Sequence, residues 1–73
     1  MAGSSQLRRV LGDNIRSHRK RLEFSQETLA EKADLHPKYV SEVERGGKTI
    51  SVDALNRIAK VLNVPLSQLF IGL

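Results

Sequence analysis

The sequence has no cysteine and no tryptophan, and its aromatic residues are Phe24, Tyr39 and Phe70. Without cysteine, disulfide frameworks and thiolate metal sites are excluded, and nothing demands an oxidising compartment. The apolar runs are only a few residues long, too short for a membrane span. Met1 to Ser5 lacks the apolar stretch of a secretory signal. Histidine is limited to His18 and His36. No serine stands with a histidine and an acid at a spacing that would activate a nucleophile, and there is no zinc-binding helix pair. With 73 residues, one domain is expected, burying roughly 60% of its unfolded surface and leaving little room for a walled active site. Together these absences argue against an enzyme, a metal site and a cofactor. They favour a binding protein.

What the chain does have is positive charge, with a formal balance of +4. It is unevenly spread. Arg8, Arg9, Arg16, Arg19, Lys20 and Arg21 face Asp13 alone in residues 1–22, while the rest of the chain is one charge short of neutral. A basic first segment on a near-neutral body can serve as an electrostatic footprint for phosphates, or can be a solvated helix face.

The apolar spacing is helical throughout, and no segment alternates with period two. Leu7, Leu11, Ile15, His18 and Leu22 form one stripe, predicting a helix from about Gln6 to Leu22 behind a flexible arm at residues 1–5. Arg9, Arg16 and Lys20 fall on its opposite side. Ser25 suits the N-cap of a second helix ending near Ala33, where Asp34 can take the left-handed conformation. Pro37 suits the first turn of a third helix reaching about Arg45, closed by Gly46 and Gly47. Ser51 caps a fourth, with the stripe Val52, Leu55, Ile58, Ala59 and Leu62, and Asn63 can end it. Val64 and Pro65 open a last short helix containing Leu66, Leu69 and Phe70. The expectation is an all-α, five-helix domain over residues 6–73.

Helices two and three are joined by only Asp34, Leu35 and His36. So short a turn between steeply crossed helices needs a small residue where the backbones meet, and Ala30 stands there. With Val40 and Val43 turned inward, Lys38, Ser41, Glu42 and Arg45 share the outward face of the third helix, and His36 and Pro37 extend its N-terminal end. A polar stripe at the start of an exposed helix is what entry into a DNA major groove requires.

The run Ser25-Gln26-Glu27-Thr28-Leu29-Ala30, followed by Tyr39-Val40-Ser41-Glu42-Val43-Glu44-Arg45-Gly46, resembles the lambda-repressor-like helix-turn-helix family of the xenobiotic-response-element type. Leu11 to Arg16 is similar to its first helix, and Ala54-Leu55, Ala59, Leu62 and Val64 to Phe70 to its last two. The style is that of small stand-alone regulators such as restriction–modification controller proteins. The resemblance covers about residues 7–70.

The resemblance implies roles residue by residue. Ser25 and Gln26 open the helix that meets the DNA backbone, and Gln26 can brace the reading helix. His36, Pro37, Lys38, Ser41 and Glu42 occupy base-facing positions. There Lys38 could donate to guanine O6 and N7, and Glu42 could accept from cytosine N4. Tyr39 corresponds to tyrosines that touch the backbone or a flanking base, with packing against the domain as the other reading. His36 is open between a helix cap and a DNA contact, and Glu42 between base readout and a solvated carboxylate. Arg45, Lys48 and Thr49 lie where the family loop meets phosphate. Arg19 and Glu44 correspond to a structural salt bridge between the first and third helices. Asp34 replaces the frequent turn glycine, and His18 an aliphatic residue. Gly47-Lys48-Thr49 is not a phosphate-binding loop, because that motif needs a glycine at position 42 and a preceding strand.

The function implied is a sequence-specific bacterial or phage transcriptional regulator that binds double-stranded DNA in the cytoplasm. A homodimer on a palindromic operator is expected, with Leu66, Leu69, Phe70, Ile71 and Leu73 as its apolar contact. An antitoxin-like module that neutralises a protein partner is the alternative.

Overall fold

Helix boundaries in this chain are set by side chains that satisfy the free backbone groups at helix ends. The computed structural model describes the backbone of residues 2–73 and the side chains of residues 5–73. Four α-helices follow one another: α1 (Ala2–Arg21), α2 (Gln26–Ala33), α3 (Pro37–Glu44) and α4 (Val52–Leu62). The chain closes with a 3-10 helix, Leu66–Phe70. Among the described residues there is no strand. The fold is all-α as expected, but the fifth helix is a 3-10 turn. It lacks a side-chain cap and spans only five residues, the length at which i→i+3 turns commonly take the place of α-helical ones.

The caps follow the sequence closely. Ser25 Oγ accepts from the Thr28 N–H at 2.9 Å, and Ser51 Oγ from the Ala54 N–H at 3.1 Å. Asp34 (φ 57°) and Asn63 (φ 59°) end α2 and α4 in the left-handed conformation. Asp34 is supported from α4: Arg57 donates to its carbonyl at 3.2 Å and also approaches its carboxylate. α1 departs from expectation, because its helical backbone already runs through positions 2–5, where an arm is expected. Met1 and the side chains of residues 2–4 lie outside the described residues.

The core collects Leu11 and Ile15 from α1, Leu29, Ala30 and Ala33 from α2, and Val40 and Val43 from α3. Leu55, Ile58, Ala59 and Leu62 of α4 and Leu69 complete it. Each large aliphatic buried here contributes about 1.5–3 kcal/mol. The ends of the predicted stripes lie outside it. Leu7, Leu22 and Val52 are exposed, because at a helix end the stripe runs past the elements that could cover it. On α1 the buried stripe continues instead through Arg19.

Two contacts fix how α1 meets the rest. A Cβ on Gly12 would stand 2.5 Å from the Val43 carbonyl oxygen and 2.7 Å from that of Glu44. Only glycine permits α1 and α3 to cross this closely. Asn14 Nδ2 donates to the carbonyls of Leu69 and Ile71, each at 2.8 Å, tying the 3-10 segment to α1. Leu69 is thereby fully buried in its own chain, which corrects its place in the expected dimer contact. Leu66 is half-buried against the core, while Phe70, Ile71 and Leu73 are exposed.

Candidate nucleic-acid interface

α2 and α3 are joined through Asp34, Leu35 and His36, and Ala30 is fully buried at their junction. Val40, Val43 and Glu44 are the buried residues of α3. Its outward face is therefore Lys38, Ser41, Glu42 and Arg45, with Lys38 and Arg45 exposed. Arg45 caps the C-terminus, one residue beyond the last helical one, and its guanidinium donates to Ser41 Oγ at 3.3 Å.

His36 is the N-cap of α3, and its Nδ1 accepts from the Lys38 N–H at 3.0 Å. That acceptor role puts the neutral ring's proton on Nε2, which leaves an outward donor. The two readings of His36 are thus compatible in one tautomer. Pro37 stands at the first helical turn, where a missing N–H costs nothing. Tyr39 packs against the core, and its hydroxyl accepts from the Ser51 N–H at 3.3 Å. This is its packing role. Lys48 and Thr49 are exposed in the loop after α3.

Behind the reading face lies a buried polar network. Arg19 donates to both carboxylate oxygens of Glu44, through Nε at 2.7 Å and Nη2 at 3.0 Å, and through Nη1 to the Phe24 carbonyl at 2.7 Å. Gln26 Nε2 donates to Glu44 Oε1 at 3.1 Å. The first residue of α2 is thereby locked to the last of α3, and both to α1. A fork-shaped guanidinium meeting a carboxylate in this way fixes orientation as well as distance.

A shallow concavity of about 260 Å³ opens above this network, lined by Arg16, Arg19, Gln26, Ser41, Glu44 and Arg45. Arg16 is the residue that sequence reasoning misplaced, since its side of α1 turns toward α2 and α3. The available signal was its position one turn before Arg19, whose partner is on α3. Gly12, Asn14 and Arg57 were also missed as positioning residues. His18 is half-buried, and burial, with the nearby Arg21 charge, holds its imidazole below the ordinary histidine range. No group of three or more possible metal ligands occurs among the described residues.

The helix-turn-helix family description matches residues 15–69. The chain belongs to the lambda-repressor-like helix-turn-helix family. That family consists of DNA-binding transcriptional regulators, not enzymes. The chain is 37% identical over 62 residues to the control protein C.BamHI of Bacillus amyloliquefaciens, covering 84% of this chain and 76% of that one. Among solved structures, the restriction-modification controller protein C.AhdI of Aeromonas hydrophila superposes with a TM-score of 0.84 at 33% identity, over 86% of this chain and 96% of its own. The clp gene regulator ClgR of Corynebacterium glutamicum gives 0.86 at 34% identity, over 89% and 69%. Within the family, the α2–α3 unit described above is the helix-turn-helix itself.

Proposed function

We propose that the protein is a sequence-specific transcriptional regulator that places α3 in the major groove of a pseudopalindromic operator, as a homodimer. The observation that carries this reading is the outward face of α3. Lys38, Ser41, Glu42 and Arg45 lie on one side of a helix whose other side is held by Val40, Val43 and the Arg19–Glu44–Gln26 network. Lys38 is assigned to guanine, Glu42 to cytosine, and His36 Nε2 and Ser41 to flanking groups. Ser25, Gln26, Arg45 and Thr49 are assigned to the phosphate backbone, which supplies affinity and register without carrying sequence information.

Size supports the dimer. The longest Cα dimension is 33 Å, whereas half-site centres in such operators lie about 34–36 Å apart. One chain therefore serves one half-site. Phe70, Ile71 and Leu73 are exposed together at the C-terminal end, Ile71 by 60% and Leu73 by 58%. They are the surface assigned to the second copy, with Leu66 at its edge. No helix among the described residues is long and apolar enough to cross a membrane, and the cytoplasm is the proposed location. The antitoxin-like alternative is not favoured, since C.BamHI, C.AhdI and ClgR are named as controllers or regulators.

The test is selection of bound duplexes from a random library, followed by affinity measurements on selected and scrambled DNA at two salt concentrations. The reading predicts a two-fold-related motif and a preference for selected duplexes that survives higher salt. Equal affinities with a common steep salt slope would identify a non-specific binder instead.

A further inference from the structure

The loop after α3 is fastened back onto that helix. The Gly47 N–H donates to the Glu42 carbonyl at 2.9 Å, and the Ser51 N–H to the Tyr39 hydroxyl at 3.3 Å. Between these two anchors, Lys48 Nζ stands 3.9 Å from Glu42 Oε1 and 5.7 Å from the centre of the Tyr39 ring. Lys48 is thus held by a carboxylate and an aromatic face of α3. The resemblance places Lys48 where the family loop meets phosphate.

Glu42 gives this geometry its meaning. It is the only acidic residue on the outward face of α3, a face offered to a polyanion. An uncompensated carboxylate there is repelled by every nearby phosphate. Neither of the other cations on that face relieves it: Arg45 is turned to Ser41 Oγ, and Lys38 forms no ion pair with Glu42. Among the described residues, Lys48 supplies the cation within ion-pair distance of Glu42. Its ammonium also lies over the Tyr39 ring, so the charge is placed beside Glu42 without needing burial.

Resting on the regulator reading above, we infer that Lys48 is the counter-ion of Glu42. It neutralises the carboxylate toward the phosphates and holds it for acceptance from a cytosine amine. Lys48 is then a positioning residue for sequence choice. A phosphate contact of the ordinary kind would leave sequence choice unchanged.

The two roles separate in a double-mutant cycle. Affinities are measured for the wild type, Lys48→Met, Lys48→Arg, Glu42→Gln and the Lys48→Met/Glu42→Gln pair, on a library-selected duplex and a scrambled one. Circular dichroism checks each fold. Lys48→Met is expected to weaken the selected duplex by about fivefold, the upper range for an exposed pair, and to relax preference at the base pair that Glu42→Gln also relaxes. Lys48→Arg should stay within about twofold of the wild type, and Lys48→Met should cost less than about twofold once Glu42 is glutamine. Equal losses with and without the Glu42 charge, on both duplexes, would make Lys48 a phosphate contact and overturn the inference, as would no loss at all. A wild type that does not distinguish the duplexes would refute the regulator reading instead, which is a separate result.

Discussion

Replacing Glu44 by alanine removes the carboxylate at which three helices meet. The Arg19 guanidinium, buried beside α3, then loses two hydrogen bonds and its only neutralising charge, while Gln26 loses its partner. Breaking a buried ion pair from one side costs about 3–5 kcal/mol, because the remaining charge stays uncompensated. A domain of 73 residues has a total stability of roughly 4–11 kcal/mol, so the variant should lose a large fraction of it. In thermal unfolding this corresponds to a drop of at least about 12 °C. The double variant Arg19→Met/Glu44→Leu removes both charges and should recover most of that loss, though the Phe24 carbonyl and Gln26 amide lose a partner. Urea unfolding followed by far-ultraviolet circular dichroism measures both. The reasoning fails if Glu44→Ala costs less than about 1 kcal/mol, or if the double variant loses as much as the two single changes added together.

Gly12→Ala gains about 1 kcal/mol of helix propensity but forces a Cβ against two backbone carbonyls of α3, a strain of about 1–3 kcal/mol or more. The expected outcome is net destabilisation with weakened DNA binding; a raised urea midpoint would contradict it. Ser51→Ala removes the α4 cap and should cost about 1 kcal/mol with an unchanged denaturant slope, leaving the Tyr39 contact intact because that uses the Ser51 backbone N–H. His18 is held below its ordinary range by burial and by Arg21, so the unfolded chain takes up its proton first. Stability should then be at its full value above about pH 6.5 and decline as pH falls from there through the lowered value. His18→Leu should show a smaller loss of urea midpoint between pH 7.5 and 5.5 than the wild type, and identical losses would count against the burial argument.

The parts of the fold legible in the sequence are those decided by neighbours in the chain. Ser25, Asp34, Ser51 and Asn63 satisfy backbone groups within a few residues, so their positions mark the helix ends. Leu11, Ile15, Leu29, Ala30, Val40, Val43 and Ile58 follow helical periodicity inside elements long enough for it to be unambiguous. The less legible parts depend on contacts across the chain. Leu69 belongs to an apolar C-terminal run that the sequence does not divide into buried and outward residues, and the Asn14 bonds to Leu69 and Ile71 show that the segment folds back on α1. The need for glycine at position 12 arises from carbonyls more than thirty positions away. Lys48 reads as a loop cation meeting phosphate until Tyr39 and Glu42 are seen beside it.

The candidate site was read more fully than its supports. The outward face of α3 followed from the two buried valines alone. Its orientation rests on Arg19, Glu44 and Gln26 acting together. The resemblance supplied the first two as a pair and Gln26 as a brace on the reading helix, and the geometry adds that the brace ends on the same Glu44 carboxylate.

In the proposed regulator, α3 reads base edges in the major groove. Dimethyl sulfate protection on a library-selected duplex tests this directly, because the reagent marks guanine N7 in the major groove and adenine N3 in the minor groove. Guanine N7 protection is expected in two half-sites about one helical turn apart, with one protected guanine per half-site lost in Lys38→Ala. Protection confined to adenine N3, or an N7 pattern unchanged by Lys38→Ala, would contradict it.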